Sequence, residues 1–443
     1  MSLVNRIVGA EIDTLQRETF GYFEHEVNDV NGLTIDKTSQ HSPASIAATG
    51  FALAAYPVGV ERGFITRAAA VERTRTTLRF FLNSAQGPES DTTGYQGLYY
   101  HFLDMQTGLR AWQCELSTVD SAFLLAGMLT AAAYFDARND EEEEIRAIAD
   151  TLYRRANWHW AQNDGETLTH GWKPESGFLP YRWEGYDEGL LLYMLALGSP
   201  TYPLAQTGFA AWCSTYQWKH QYGYDYLYAG SFFTHQLSHI WIDFRGIQDG
   251  FMREKGIDYF ENSRRATHVQ RQYGITNPLK YEGYGPTCWG ITASDGPGPE
   301  TIKIDGIERQ FFNYIARGVP YGPDDGTIAP WAVVASLPFA PDIVLPAIGH
   351  FIGALKLKEK NPYGFKATFN ATFPAQAGSP CGWVSPWHYG LNQGPLVLMI
   401  ENYRSELLWR LTARSPYIVS GLRRAGFEGG WLKKSTELEL CEV

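Results

Sequence analysis

The sequence predicts an all-α protein, an (α/α)6 toroid of six inner helices ringed by six outer ones, and three observations predict it. The first is alternation. Five stretches are apolar nearly all round, Ser45–Tyr56, Asp120–Phe135, Glu188–Leu197, Ile328–Leu337 and Pro395–Leu411, and a sixth, Thr234–Gln248, is mixed. Each follows a stretch with a single apolar stripe: Glu11–Val27, Ile65–Asn83, Asp140–Trp160, Leu204–Trp218, Phe251–Tyr273 and Asp342–Leu355. A helix apolar all round is enclosed, whereas a striped one keeps a wet face. The second observation is the links. Inner-to-outer links are short, as in Gly198–Pro203, and outer-to-inner links are long, as in Gly274–Thr327. In an antiparallel array all long links fall at one end, which makes that end the working face. The third is the lack of any fixed sequence period or polar capping repeat, which argues against an open superhelix of stacked pairs.

In chain order, Glu11–Val27 and Ser45–Tyr56 form the first pair, and Ile65–Asn83 opens the second. The link Ser84–Ser117 is long and rich in aromatics, including Tyr95, Tyr99 and Tyr100. It ends in Cys114-Glu-Leu-Ser-Thr-Val-Asp-Ser-Ala-Phe123, where Ser117 or Thr118 suits an N-cap and Asp120 the first turn. Glu115 precedes the helix, so neither capping nor helical pairing explains it. A solvated loop acid is the plain reading.

The third pair, Asp140–Trp160 and Glu188–Leu197, is joined by Ala161–Asp187, which carries Trp172, Tyr181, Trp183 and Tyr186. Asp187 reads as an N-cap. Glu188 lies one residue on. The helix dipole would lower its pKa, and desolvation by Trp183, Tyr186 and Tyr193 would raise it, as a proton donor near neutral pH requires. Leu204–Trp218 leads to the mixed segment Thr234–Gln248. There His235 and His239 stand at i and i+4, with Asp243 on the same stripe and Arg245 able to pair with it or with Asp249. His-Gln-Leu-Ser-His lacks the glutamate of a zinc-protease helix and no third ligand is evident, so no metal is expected. A buried His–Asp–Arg network and direct contact with a bound substrate are compatible readings. Phe251–Tyr273, the link Gly274–Thr327 with Trp289 and Asp295, and Ile328–Leu337 complete the fifth pair. Asp342–Leu355, the link Lys356–Gly390 with Trp387, and Pro395–Leu411 complete the sixth.

One domain is expected over residues 1–443, with its core at about 11–411 and a C-terminal extension at 412–443. The Gly/Pro clusters Ser294–Pro299 and Tyr321–Gly326 adjoin aromatic residues that a flexible linker would lack. A formal net charge of −11 argues against nucleic acid and anionic membrane as partners. No apolar run is long enough to insert in a bilayer. The start, Met-Ser-Leu-Val-Asn-Arg, shows no apolar signal region, which gives a cytoplasmic expectation, or a periplasmic one if a leader has been trimmed. Cys114, Cys213, Cys288, Cys381 and Cys441 are odd in number and lack CxxC spacing, so free thiols are expected.

Aromatic residues make up 14% of the chain, and many fall in the long links. Rings interleaved with Asp, Glu, Arg and His suit carbohydrate, whose C–H faces pack on rings while its hydroxyls bond to charged groups; the plain alternative is that the rings pin loops to the barrel. Glycosidic hydrolysis needs one carboxylic acid and one carboxylate. Glu115, Asp120, Glu188, His235 and Trp387 are expected at one mouth of the ring. Several aromatic-rich links there offer subsites along a path, which favours cleavage of internal bonds.

The motifs Thr234–Asp249 (THQLSHIWIDFRGIQD), Asp258–Gly274 (DYFENSRRATHVQRQYG), Trp289–Pro297 (WGITASDGP) and Leu391–Leu411 (LNQGPLVLMIENYRSELLWRL) resemble the glucoamylase-like family. So do Arg182–Pro200, Tyr100–Gly108 and Cys114–Asp120. The resemblance spans roughly Tyr22 to Leu411. It implies an (α/α)6 fold and kinship with bacterial endo-β-1,2-glucanases and with the glycoamylase-like domain of cyclic β-1,2-glucan synthases. It implies Glu188 as general acid. No cofactor is expected. Some members carry Asp where this chain has Asn392; an amide cannot act as a base, so Glu115 and Asp120 are the candidates for the second carboxylate. Tyr99, His101, Trp183, Tyr186, His235, His239, Asp243, Arg245, Trp289, Asp295, Trp387 and Asn392 are the candidate substrate contacts. Endo-hydrolysis of β-1,2-glucan is the expectation. An exo-acting α-glucan hydrolase, a β-1,2-glucan transglycosylase and a non-catalytic glucan-binding protein are the alternatives.

Overall fold

The computed structural model describes residues 3–374 and 381–433. Its helices are α1 (Leu3–His25), α2 (Ile46–Glu61), α3 (Arg67–Asn83), α4 (Thr118–Tyr134), α5 (Asp140–Arg155), α6 (Trp158–Ala161), α7 (Leu190–Gly198) and α8 (Gln206–Cys213). They continue as α9 (Gly250–Lys255), α10 (Tyr259–Thr276), α11 (Pro330–Val334), α12 (Pro341–Gly353), α13 (Gly390–Ser405), α14 (Leu407–Thr412) and α15 (Pro416–Arg424). The inner ring runs α2, α4, α7, the 232–240 segment, α11, α13 and back to α2. It is a helical toroid. α1, α3, α5, α8, α10 and α12 lie in the six outer positions, and α15 packs against α7 so closely that a Cβ on Gly421 would meet the Met194 carbonyl at 1.9 Å. No helix among the described residues is long and apolar enough to cross a membrane.

Burial follows the pattern that the apolar runs dictate. From Ile46 to Gly59 every residue of α2 is buried, and every residue of α7 is too. α5 buries only Glu142, Ile145, Ile148, Ala149, Leu152 and Tyr153, the stripe of an outer helix. Two inner helices touch backbone to backbone, because Gly50 and Gly127 leave no room for a side chain. A Cβ on Gly127 would lie 2.0 Å from the Gly50 carbonyl oxygen. Inside the ring, Phe51 of α2 stacks on Trp241 at 5.4 Å and 12°, and Phe123 of α4 stacks on both. Phe51 and Phe123 lie five residues past the first residue of α2 and of α4, so these rings close the toroid about a turn and a half in from those N-termini. The N-terminal end is therefore a pit with an aromatic floor.

One predicted element takes another form. The segment expected as a mixed inner helix, Thr234–Gln248, forms two 3₁₀ turns, Phe232–His235 and Leu237–Ile240, and then irregular chain. Its buried polar groups bond sideways to neighbours instead of along their own axis. Gln236 donates to the Ala332 carbonyl and the Ser336 hydroxyl, and Ser238 accepts from the Leu191 N–H. Such lateral partners compete with helical hydrogen bonds. Two other expected helices break at residues in the left-handed region. Gly256 separates α9 from α10, and Glu406 (φ +59°) separates α13 from α14.

The long links cover the open end with short strands. A five-stranded antiparallel sheet runs 94–95, 98–100, 116–117, 171–173, 177–178, and a hairpin pairs 300–304 with 307–311.

Candidate active site

Four inner-helix N-termini, those of α2, α4, α7 and α13, face the pit, and each is reached by a link carrying polar side chains. The Ile46 N–H at the head of α2 donates to the His101 carbonyl, and the Gly390 N–H at the head of α13 donates to the Asp36 carbonyl. Ser117 caps α4, accepting from the Asp120 N–H while donating its hydroxyl to Asp120 Oδ2. Glu188 sits on the turn before α7, whose N-cap is Gly189. Asp187 holds that turn: its Oδ1 accepts from the Gly189 N–H at 2.8 Å and from Trp212 Nε1 at 3.3 Å. Carboxylates gather here because helix N-termini present unpaired N–H groups and partial positive charge.

These groups are partly open to water yet densely surrounded by protein, as expected at the bottom of a pit. Burial pushes the Glu188 carboxyl up to about 7, its own backbone N–H pulls it down, and the Asp120 charge pushes it up further. Burial likewise takes Asp36 up to about 6 against the pull of His101 and Lys37. His101 reverses the trend. Burial opposes its charge, but Asp120, Glu115 and Asp36 outweigh that and hold it up to about 9. Its Nδ1 lies 2.8 Å from Glu115 Oε1 and 3.7 Å from Asp120 Oδ2. Burial would raise Glu115, yet the bond and charge of His101, with Lys173, keep it below the usual carboxylate range. One side of the pit thus holds a carboxyl able to carry a proton at neutral pH. The other holds a carboxylate kept ionised.

Glu115, Asp120, Glu188 and His101 come together here. Asp295 joins them from the other side, accepting from the Ser385 hydroxyl at 2.8 Å, and Trp387 lies two residues beyond Ser385, partly exposed. Asn392 is buried in the first turn of α13. Trp183 is buried beside the pit: its Nε1 donates to Thr118 Oγ1, and its ring stacks on His170 at 3.8 Å.

Several expected contacts lie elsewhere. Tyr99 and Trp289 are enclosed in the core, Tyr99 edge-on to Phe81. Tyr186 is wedged between His235 and Tyr259. His235 and His239 are buried behind the wall, and burial takes each down to about 3. His239 shares a 2.9 Å hydrogen bond with the Ser263 hydroxyl. Asp243 and Arg245 pair at 2.7 Å, but Arg245 also bonds Glu406 at 2.9 Å, beyond the C-terminus of α13. Sixteen residues of helix separate them from the pit, about 24 Å at 1.5 Å per residue. The shared stripe expected of His235, His239 and Asp243 needs an α-helix, and the segment is not one.

Sequence reasoning missed Asp36, Lys37 and Tyr314, and read Tyr389 only as one of the aromatics of the last link. Asp36 carried the same signal as Glu115, an acid in a link running into an apolar helix. Tyr389 is set by its backbone bridge to Lys37. Nothing local marks Tyr314.

The Glycoamylase family model, described as "Putative glucoamylase", matches residues 180–416, more than half of the chain. A "putative glucoamylase" structure from Bacteroides uniformis is 31% identical, with 96% of this chain and 99% of that one covered and a TM-score of 0.84. An endo-β-1,2-glucanase from Chitinophaga pinensis, solved with sophorotriose and glucose, is 26% identical over the same shares, also at TM-score 0.84. An exo-β-1,2-glucooligosaccharide sophorohydrolase (non-reducing end) from Parabacteroides distasonis is 29% identical over 442 residues. That match covers 93% of this chain, and the chain spans 57% of the sophorohydrolase's length.

Proposed function

The chain belongs to the Glycoamylase family, and on that footing we propose that it is a glycoside hydrolase that cleaves internal bonds of β-1,2-linked glucan. The observation that carries this reading is the split pair at the pit floor. Glu188 is held up to about 7 by burial, across from Glu115 and Asp120, which share a cationic His101. Two carboxyl groups pushed apart in pKa are what acid–base cleavage of an acetal needs. Glu188 donates its proton to the departing glycosidic oxygen. Glu115, which His101 keeps ionised, supplies the opposing carboxylate, and Asp120, whose charge reaches Glu188, stands beside it. Asn392 takes no part in proton transfer, since an amide does not titrate. The linkage follows from the relatives: the Chitinophaga protein is named for β-1,2-glucan and the Parabacteroides protein for β-1,2-glucooligosaccharides.

Internal cleavage is favoured by exposed rings beyond the acids. Trp112 is 62% exposed and packs on Phe102, next to His101, and Tyr181 is 67% exposed beside His170. Such faces suit a chain running past the pit and let remote binding energy act at the cleaved bond. Reducing-end assays with product sizing on linear β-1,2-glucan, starch and laminarin test the reading. Short β-1,2-oligosaccharides of mixed length early in the digest are expected. A single disaccharide product would instead match exo-action, and turnover of starch alone would overturn the linkage.

A further inference from the structure

Tyr314 lies on the segment after the 300–311 hairpin, outside the helical ring, yet its ring stands in the pit. It is 51% exposed, with its centroid 6.2 Å from the ring of Tyr389. A backbone bridge between Ser294 and Ile315 sets it beside Asp295. Its phenol lies within electrostatic reach of Asp36, Glu188 and Asp295, from three separate links, and of Asp120 in the first turn of α4.

The backbone on both sides is fixed by one buried cation. Arg317 is fully enclosed and paired at 2.7 Å with Asp325, which is equally enclosed. Its remaining N–H groups donate to the carbonyls of Phe312 and Asn313 on one segment and of Ser294 and Asp295 on the other. Asp325 in turn accepts from the Phe312 N–H. A buried pair cannot release one partner without stranding a charge, so this clamp is rigid. It holds Tyr314 and Asp295 in register with each other.

The ionised carboxylates of the pit, Glu115 among them, accept hydrogen bonds and do not donate them. A glucan brings ether and hydroxyl oxygens that need donors. A phenol among carboxylates stays protonated, and so stays a donor. We propose that Tyr314 is a substrate-contacting residue at the point of cleavage, donating a hydrogen bond to a glucosyl oxygen beside Glu188. The proposal rests on the glucan-hydrolase reading above.

The test compares wild type, Tyr314→Phe and Tyr314→Ala on linear β-1,2-glucan, with kcat, KM and thermal midpoint measured for each. Tyr314→Phe is expected to lose about tenfold in kcat/KM, the size of one hydrogen bond, at an unchanged midpoint. Tyr314→Ala is expected to lose more and to change the product lengths, since the ring no longer fills the cleft. An active wild type with Tyr314→Phe at full kcat/KM overturns the proposal, even if Tyr314→Ala is unstable, because the ring would then only pack. A wild type inactive on β-1,2-glucan overturns this proposal and the functional reading together.

Discussion

Replacing Glu188 by Gln keeps the side chain's size and hydrogen-bonding oxygen while removing the one proton that the mechanism transfers. The structure sets the scale of the loss. An ordinary carboxyl at 4.5 is about 0.3% protonated at pH 7, whereas one held up to about 7 is about half protonated. Burial therefore raises the supply of acid about 150-fold at pH 7. The variant forfeits that supply together with the transfer step, so kcat should fall about 10²–10⁴-fold with KM nearly unchanged. In the wild type, kcat/KM should decline as pH rises through about 7. Stability supplies an independent check. The folded pKa of Glu188 lies above its ordinary value, so between about 4.5 and 7 the folded state binds more proton than the unfolded chain, and stability drains away as pH rises. Gln has no such dependence, so the variant should be no less stable than wild type above pH 7. The assay is steady-state reducing-end release on linear β-1,2-glucan from pH 4 to 9, with melting curves in the same buffers. Near-wild-type turnover in a variant that melts earlier would refute the reasoning and leave Glu188 as a structural residue of the turn.

His101→Gln removes the cation that keeps Glu115 ionised, so the acidic limb of the kcat/KM profile should move to higher pH. His101 is itself raised from 6.5 to about 9, so its stabilising charge is fully present below 6.5 and lost as pH rises through 9. Wild type should therefore lose more melting temperature than the variant across that window. Arg245→Ala should leave glucan turnover untouched and cost on the order of 1 kcal/mol in urea titration, because its partners Asp243, Glu406 and Trp409 lie at the end of the ring opposite the pit. Gly127→Ala should cost about 1–3 kcal/mol or prevent folding, since its Cβ would sit 2.0 Å from the Gly50 carbonyl; an unchanged melting point would mean that α2 and α4 are not in backbone contact.

Local sequence determined the ring. Whether a helix is enclosed or half wet is written in its own residues, so the inner runs through α2, α4, α7 and α13 and the stripes of α3 and α5 were legible one segment at a time. Link lengths then fixed which end is open, and acids placed just before inner helices, Glu115 and Glu188, marked where they point. Asp36 obeyed the same rule and went unread. The 232–240 segment failed for a physical reason: its polar residues take partners on α10, α11 and the head of α7, which no periodicity reports. For the same reason His235, His239 and Tyr99 looked like ligands for a sugar and lie behind the wall. Tertiary structure alone decided the rest. The pKa of Glu188 depends on how much water the assembled pit excludes, and the ionisation of Glu115 on a histidine that reaches it through strand pairing. The position of Tyr314 depends on a buried Arg317–Asp325 clamp that ties the Ser294–Asp295 segment to Phe312 and Asn313. Burial and charge coupling are properties of the closed ring, and they come into being only when the last inner helix packs against the first.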